Sequence, residues 1–280
     1  NGLGVLVGVL AARITGIRHI WHIHEIIEKP RAFHIIYRQL LNWRFGHKIA
    51  VSQAVRSSWA TKHSDNFSMI YNGIPLPPAP TTNNKVRNEL DLHQSTLVVG
   101  MIGRVSYWKG QDYFIRISHE LLKHDGEVKF IMVGDVYPGN EHLYDELTQL
   151  KQLLGVTNSI FDLGYRRDIP DILSALDLFI LPSTLPDPFP TVILEAMGQG
   201  KAIVATRHGG ALEMLEENVS GAFIPINDEK AASTIIFSLL KQKKLRTEMG
   251  IQARKRVSND FSSAKFKKKI IATIEHFQIK

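Results

Sequence analysis

The chain contains no cysteine, which excludes disulfides and thiolate metal sites and fits a reducing compartment. No apolar run approaches the roughly 20 residues that a membrane-spanning helix needs. The apolar start, Leu3 to Ala12, lacks the basic lead-in of a signal peptide. No Gly-x-Gly-x-x-Gly follows a strand signal and no Gly-Lys-Ser/Thr loop occurs, which argues against a plain dehydrogenase and a P-loop kinase. Neither an internal repeat of fixed period nor a low-complexity tract is present. Near the C-terminus, basic residues are not interleaved with aromatics as single-strand binders require. No nucleic-acid partner is therefore expected.

What is present describes a soluble globular protein. At 280 residues, 44% hydrophobic and 22% charged, the chain has material for two domains with real cores. Its net charge of +7 is unevenly placed. Residues 241–280 carry twelve Lys/Arg against three acids, a surplus of nine that leaves the first 240 residues at −2. Such a basic end reads as solvated helix faces or as a peripheral contact with an anionic membrane.

Leu181 to Met197 organises the second half of the chain. It follows an apolar strand signal, Leu176 to Leu181, and holds Pro186, Pro188 and Pro190, each of which disfavours helix in the residue before it. The spacing predicts a helix over Thr191–Gly198. Unpaired backbone N–H groups and the macrodipole at its start favour an anion such as a diphosphate. Asp187 and Glu195 flank that start, where both can accept hydrogen bonds from hydroxyls.

Before this segment the chain alternates helices and strands. Helices are expected at Leu3–Thr15, stopped by Gly16, at Arg31–Phe45 and at Ala54–Thr61 opened near Ser52. Strands are expected at His19–His24 and Lys48–Ser52. Asn72-Gly73 signals a turn, and Pro75 to Asn84 reads as an interdomain linker. A second series follows, with strands at Thr96–Ile102, Val128–Val133, Ile160–Leu163, Leu176–Leu181, Ala202–Ala205 and Ala222–Ile224. Helices lie between them, and 228–249 and 262–279 are also helical. This alternation predicts an α/β doubly wound parallel sheet with right-handed crossovers.

In such a sheet the C-terminal ends of the strands face one crevice. Gly103-Arg104, Lys109, Gly134-Asp135, Gly164-Tyr165, Pro186–Thr191 and Gly209-Gly210 all fall at strand ends. Arg104 and Lys109 suit phosphate oxygens, and with the helix start they would neutralise a diphosphate leaving group. His24 ends its strand with a side chain suited to acid–base or electrophilic chemistry. His19, His22 and His24 lie on this strand, the last two at alternate positions, and raise a metal site. No further carboxylate or histidine with ligand spacing follows, so none is expected.

Gly103-Arg104 with Lys109-Gly110, then Gly164-Tyr165, then Pro182-Ser183 through Glu195-Ala-Met197, then Gly209-Gly210 with Glu213, resembles the family 4 retaining glycosyltransferases of GT-B fold. His24-Glu25, Ala50-Val-Ser52 and Tyr71-Asn-Gly-Ile74 are similar to that family's acceptor-side landmarks. The resemblance spans most of residues 15–225. It implies two Rossmann-like domains facing a cleft: a partial acceptor-side domain at 1–80, a nucleotide-sugar domain at 81–260, and a last helix at 261–280 that crosses back.

By that resemblance, Gly103, Arg104 and Lys109 belong to the diphosphate, Asp187 and His24 to the sugar, Glu195 to the ribose, and Tyr165 to the base. Backbone groups of Phe189, Pro190 and Thr191 would hold phosphate and sugar hydroxyls. The implied donor is a UDP- or GDP-linked sugar, with no metal and no cofactor, and the acceptor a saccharide or a lipid-linked glycan in polysaccharide or glycolipid assembly. A cytoplasmic protein, peripheral at the inner membrane face, is the implied location.

Two departures stand out. Asp187 is one methylene shorter than the family's usual glutamate and is flanked by prolines. The family's first strand and glycine-rich loop have no match, and the chain starts at Asn1, so an N-terminal truncation is expected. Two alternatives stay open: a GT-B sugar-nucleotide epimerase and a non-catalytic sugar-nucleotide binder.

Overall fold

Every residue of β4 (Val98–Ile102) and of β7 (Leu178–Leu181) is buried, as strands covered by helices on both faces must be. In the computed structural model, which describes residues 6–27, 30–42, 46–60 and 67–279, the two are neighbours at the centre of a six-stranded sheet. The other members are β5 (Lys129–Val133), β6 (Ile160–Asp162), β8 (Ile203–Thr206) and β9 (Ala222–Ile224). The order is β6-β5-β4-β7-β8-β9, parallel throughout. A smaller parallel sheet, in order β1-β2-β3, is built from β1 (Ile20–Ile23), β2 (His47–Ala50) and β3 (Phe67–Met69).

Alternation along β4 sends Val99 and Met101 to one face and Val98 and Ile102 to the other. The first pair packs with α5 (Gln111–His124) and α10 (Glu229–Lys241). The second packs with α8 (Thr191–Gly198) and α11 (Lys243–Asp260). This second core runs without a break into the small sheet through Ile23 and Ala50 and into α3 (Gln53–Trp59) through Trp59. At the join, Tyr71 stacks on Phe189 with centroids 5.4 Å apart, and Phe261 meets both rings edge-on. Phe189 and Phe261 are buried and Tyr71 partly so; a fully buried side chain of this kind contributes about 1.5–3 kcal/mol, so the turn carrying Phe189 is fixed by hydrophobic packing.

The remaining helices are α1 (Leu6–Thr15), α2 (Arg31–Asn42), α4 (Lys85–Glu89), α6 (His142–Leu153), α7 (Ile169–Ala175), α9 (Ala211–Met214) and α12 (Ser263–Ile279). Ser52 opens α3 as expected, its Oγ accepting from the Val55 amide at 3.1 Å. The expected segments 3–5, 43–45 and 61 lie outside the described residues. No helix among those described is long and apolar enough to cross a membrane.

Two expectations need correction. Asn72-Gly73 is not a turn. The chain runs straight on, bridging Ile74 to Ser262, and a Cβ on Gly73 would strike the Ser262 carbonyl. Glycine is needed there for close approach of two backbones. The segment read as a linker is followed by a short helix, α4, and is stitched to the large sheet's unit: Thr81 N donates to Gln199 Oε1 at 2.7 Å and Asn83 N to Ser174 Oγ at 3.0 Å. The single helix expected at 228–249 breaks at Gln242, and α11 then runs on to Asp260.

α12 crosses to the small sheet. Ser263 N donates to Ile74 O at 2.9 Å, Phe266 stacks on His22 with centroids 6.2 Å apart, and Phe277 lies 5.8 Å from His47.

Candidate functional site

The strand order reverses between β4 and β7, and an open parallel sheet leaves its crevice at that point. There the loops after β4, β5 and β6 and the start of α8 enclose a cavity of about 830 Å³. Gly103, Arg104, Lys109, Tyr165, Pro190, Thr191 and Glu195 line it. A second cavity of about 430 Å³ opens toward the small sheet, and His24, Asp187 and Phe189 line that one. All ten residues expected at the site thus fall on two adjoining hollows. A third hollow, about 330 Å³ between α5 and α6, holds none of them.

In the larger cavity the groups are poised for an anion. α8 begins at Thr191 with Pro190 at its cap position and no side-chain cap; the Ile193 amide donates to Pro190 O at 3.0 Å, and the Thr191 and Val192 amides are left to a ligand. The guanidinium of Arg104 is exposed and lies 3.7 Å from the centre of the Tyr137 ring, a cation–π contact that holds the fork in place. Glu195 is half-buried, and burial pushes its carboxyl above the usual range. It accepts no hydrogen bond from any described residue. A partly desolvated acceptor without donors suits ligand hydroxyls.

The sequence reading treated Lys109 and Asp187 as separate ligands of phosphate and sugar. They are bonded to each other. Lys109 Nζ lies 2.5 Å from Asp187 Oδ2, both side chains largely buried. The pair is possible because β4 and β7 are neighbours, although the residues are 78 positions apart. Phe189 likewise turns its ring into the core, leaving only its backbone to the cavity rim.

Beneath the turn lie Gly209 and Gly210. Gly210 N donates to Asp187 O at 2.8 Å, Gly209 has φ of 62°, and a Cβ on it would sit 2.5 Å from the same carbonyl oxygen. The Gly-Gly pair therefore supports the turn from below.

On the smaller cavity, burial lowers the His24 pKa below its ordinary value, while Glu25 opposes that shift. Its ring lies 4.1 Å from that of His22, whose pKa falls to about 4 through burial and then the neighbouring His24. Both imidazoles are neutral at pH 7. His19 stacks edge-on against Trp21 instead. Among the described residues no group of three His, Asp or Glu side chains converges as a metal site.

Sequence reasoning missed several contributors. Trp108 lines both cavities. Arg166 binds Glu89 at 2.6 and 2.9 Å and Asp168 at 2.8 Å, so α4 braces the loop that carries Tyr165. Glu213, one of the residues that carry the resemblance, has a role that was not expected: it spans the two sheets' units, accepting from the amides of Gln53 and Ala54 at 2.7 and 2.8 Å to cap α3. A capping acid on another element leaves no local sequence signal.

Comparison with known proteins bears on this geometry. The family model described as glycosyl transferases group 1 matches residues 82–256. The crystal structure of Anabaena HepE in complex with UDP and glucose is 30% identical, with a TM-score of 0.89 over 97% of this chain and 75% of that one. The UDP-Gal:alpha-D-GlcNAc-diphosphoundecaprenol alpha-1,3-galactosyltransferase of Escherichia coli is 29% identical over 204 residues, 71% of this chain and 51% of its own. Spore coat protein SA of Bacillus subtilis is 22% identical over 237 residues, 80% of this chain and 62% of its own. The chain thus spans roughly half to three fifths of these curated relatives. Its fold is GT-B, an α/β architecture with two parallel sheets. With the match covering well over half of its residues, the chain belongs to the group 1 glycosyl transferases.

Proposed function

We propose that this protein is a retaining glycosyltransferase that moves a sugar from a nucleoside-diphosphate donor to an acceptor hydroxyl. The observation that carries the reading is convergence on one cavity of Arg104, Lys109, the uncapped start of α8 and the unpartnered Glu195. Diphosphate would take the cations and the amides, ribose hydroxyls would take Glu195, and the base would lie against Tyr165. Uridine is favoured over guanosine because HepE was crystallised with UDP.

In the reaction, the bond from C1 to the diphosphate oxygen breaks and its electron pair stays on that oxygen. Arg104, Lys109 and the helix end stabilise the charge as it grows. The acceptor oxygen bonds to C1 on the face being vacated, and its proton passes to the leaving phosphate. No carboxylate is required as a nucleophile, because Asp187 is assigned to the hydroxyls of the sugar. His24, neutral at pH 7, orients the sugar rather than supplying charge.

We assign the acceptor to saccharide or lipid-linked chemistry, the acceptor side to residues 1–80, the donor side to 81–260 and the crossing helix to 261–280. A cytoplasmic position at the inner membrane face rests on the basic surplus of 241–280 and on Ile271, exposed beside Lys267 and Lys268 on α12.

Titration calorimetry tests the reading: UDP and UDP-glucose bind the wild-type chain, and Lys109→Met binds each far more weakly. Absence of binding to every uridine and guanosine diphosphate sugar sinks it. Conversion of the donor without acceptor points to an epimerase instead.

A further inference from the structure

Of the residues that line the two cavities, one belongs to both: Trp108. Its position is fixed from several sides. The Thr184 amide donates to Trp108 O at 2.8 Å and Thr184 Oγ1 to Tyr107 O at 3.2 Å, which fastens the residue to the loop leaving β7. Lys109 Nζ lies 4.3 Å from the centre of the indole, held there by Asp187.

We infer that Trp108 is the platform on which the transferred sugar stacks, and that Lys109 covers it until a diphosphate draws the ammonium away. This rests on the donor reading above. The transferred ring must lie where the two cavities meet, because one of its bonds goes to phosphate and the other comes to the acceptor. A pyranose offers an apolar C–H face, and an indole is the side chain best suited to receive it. The π face also favours the positive charge that builds on the ring as the C1–oxygen bond breaks.

The same face attracts Lys109 while no donor is bound. A diphosphate, with more charge than Asp187, competes for the ammonium. Its arrival opens the indole and releases the Asp187 carboxylate toward sugar hydroxyls. Sugar and diphosphate then bind cooperatively through one lysine, without movement of the backbone.

The experiment compares UDP and UDP-glucose by calorimetry on the wild-type chain and on Trp108→Leu and Trp108→Phe. Leucine keeps apolar bulk without a π face, and phenylalanine keeps a smaller face. The inference expects UDP affinity to stay within about threefold in both variants. The advantage of UDP-glucose over UDP falls about five- to tenfold in Trp108→Leu and is largely kept in Trp108→Phe. Free glucose should bind the wild-type chain measurably only with UDP present. Equal loss of UDP and UDP-glucose in Trp108→Leu overturns the inference and assigns Trp108 to loop support, and an unchanged UDP-glucose advantage overturns it as well. Neither outcome touches the donor reading, which fails only if the wild-type chain binds no nucleotide sugar.

Discussion

Lys109 and Asp187, on loops from adjacent strands, form a largely buried ion pair at the boundary of the two cavities. Removing one member of such a pair leaves the other charge uncompensated, whereas removing both is nearly neutral. Lys109→Met should therefore lower the stability of the donor-free protein by about 1–3 kcal/mol, and adding Asp187→Asn should restore most of it. UDP affinity behaves differently. It should fall roughly 10- to 100-fold in Lys109→Met and stay low in the double variant, because both lack the charge-assisted contact with phosphate proposed for Lys109. Thermal melts with and without UDP separate the two effects.

Asp187→Asn alone should tighten UDP. The amide frees Lys109 and removes a negative charge that opposes the diphosphate, a gain of about fivefold at most for a pair of this kind. Calorimetry showing weaker UDP binding would mean that Asp187 positions Lys109 for phosphate rather than competing with it.

Glu195 carries a cost in the empty protein. Burial raises its pKa, so the folded state favours the protonated acid. That preference is fully present below the unfolded value near 4.5 and turns into a penalty as pH rises through the raised folded value. At pH 7, Glu195→Gln should raise the melting temperature by about 2–4 °C while weakening UDP about 10-fold through loss of an ionised acceptor. Wild-type donor affinity should also decline as pH falls into the raised titration range, and the Gln variant should not show that decline.

These contrasts explain what the sequence made legible. Thr191–Gly198 and Ala222–Ile224 are observed with the expected bounds, because proline punctuation and apolar runs act locally. The clustering of the ten expected residues was legible because glycines and charges at strand ends share one crevice. Their couplings were not. The Lys109–Asp187 bond depends on which strands are neighbours, the cap from Glu213 to α3 joins elements 160 positions apart, and Gly73 answers to a backbone that arrives only with Ser262. α4 escaped notice because its five residues are too few for a helical period.

Glu213 should prove structural rather than catalytic. Its carboxylate satisfies two orphan amides of α3 and approaches the Tyr71 hydroxyl, whose pKa is pushed up to about 12 by burial first and by Glu213 next. Glu213→Ala should cost about 0.5–2 kcal/mol, the range of a lost helix cap, and leave UDP affinity within twofold or so. A large loss of UDP binding with unchanged stability would place Glu213 at the ligand instead.

The docking of α12 should weaken in acid through His22. Its Nε2 is buried without a partner, its ring stacks on Phe266, and its pKa falls to about 4 from an ordinary 6.5. A depressed histidine favours the neutral ring in the folded state. Its contribution is therefore complete above the unfolded value of 6.5 and is lost as pH falls from there toward about 4. His19, His24 and His47 are shifted the same way by burial, so each adds to the loss as pH falls below 6.5. His22→Phe keeps a ring against Phe266 and removes the deepest of these titrations. Its melting temperature should match the wild type near pH 7.5 to within a few degrees and fall less steeply between about pH 6.5 and 4.5. Parallel pH profiles for the two proteins would show that the acid sensitivity arises elsewhere.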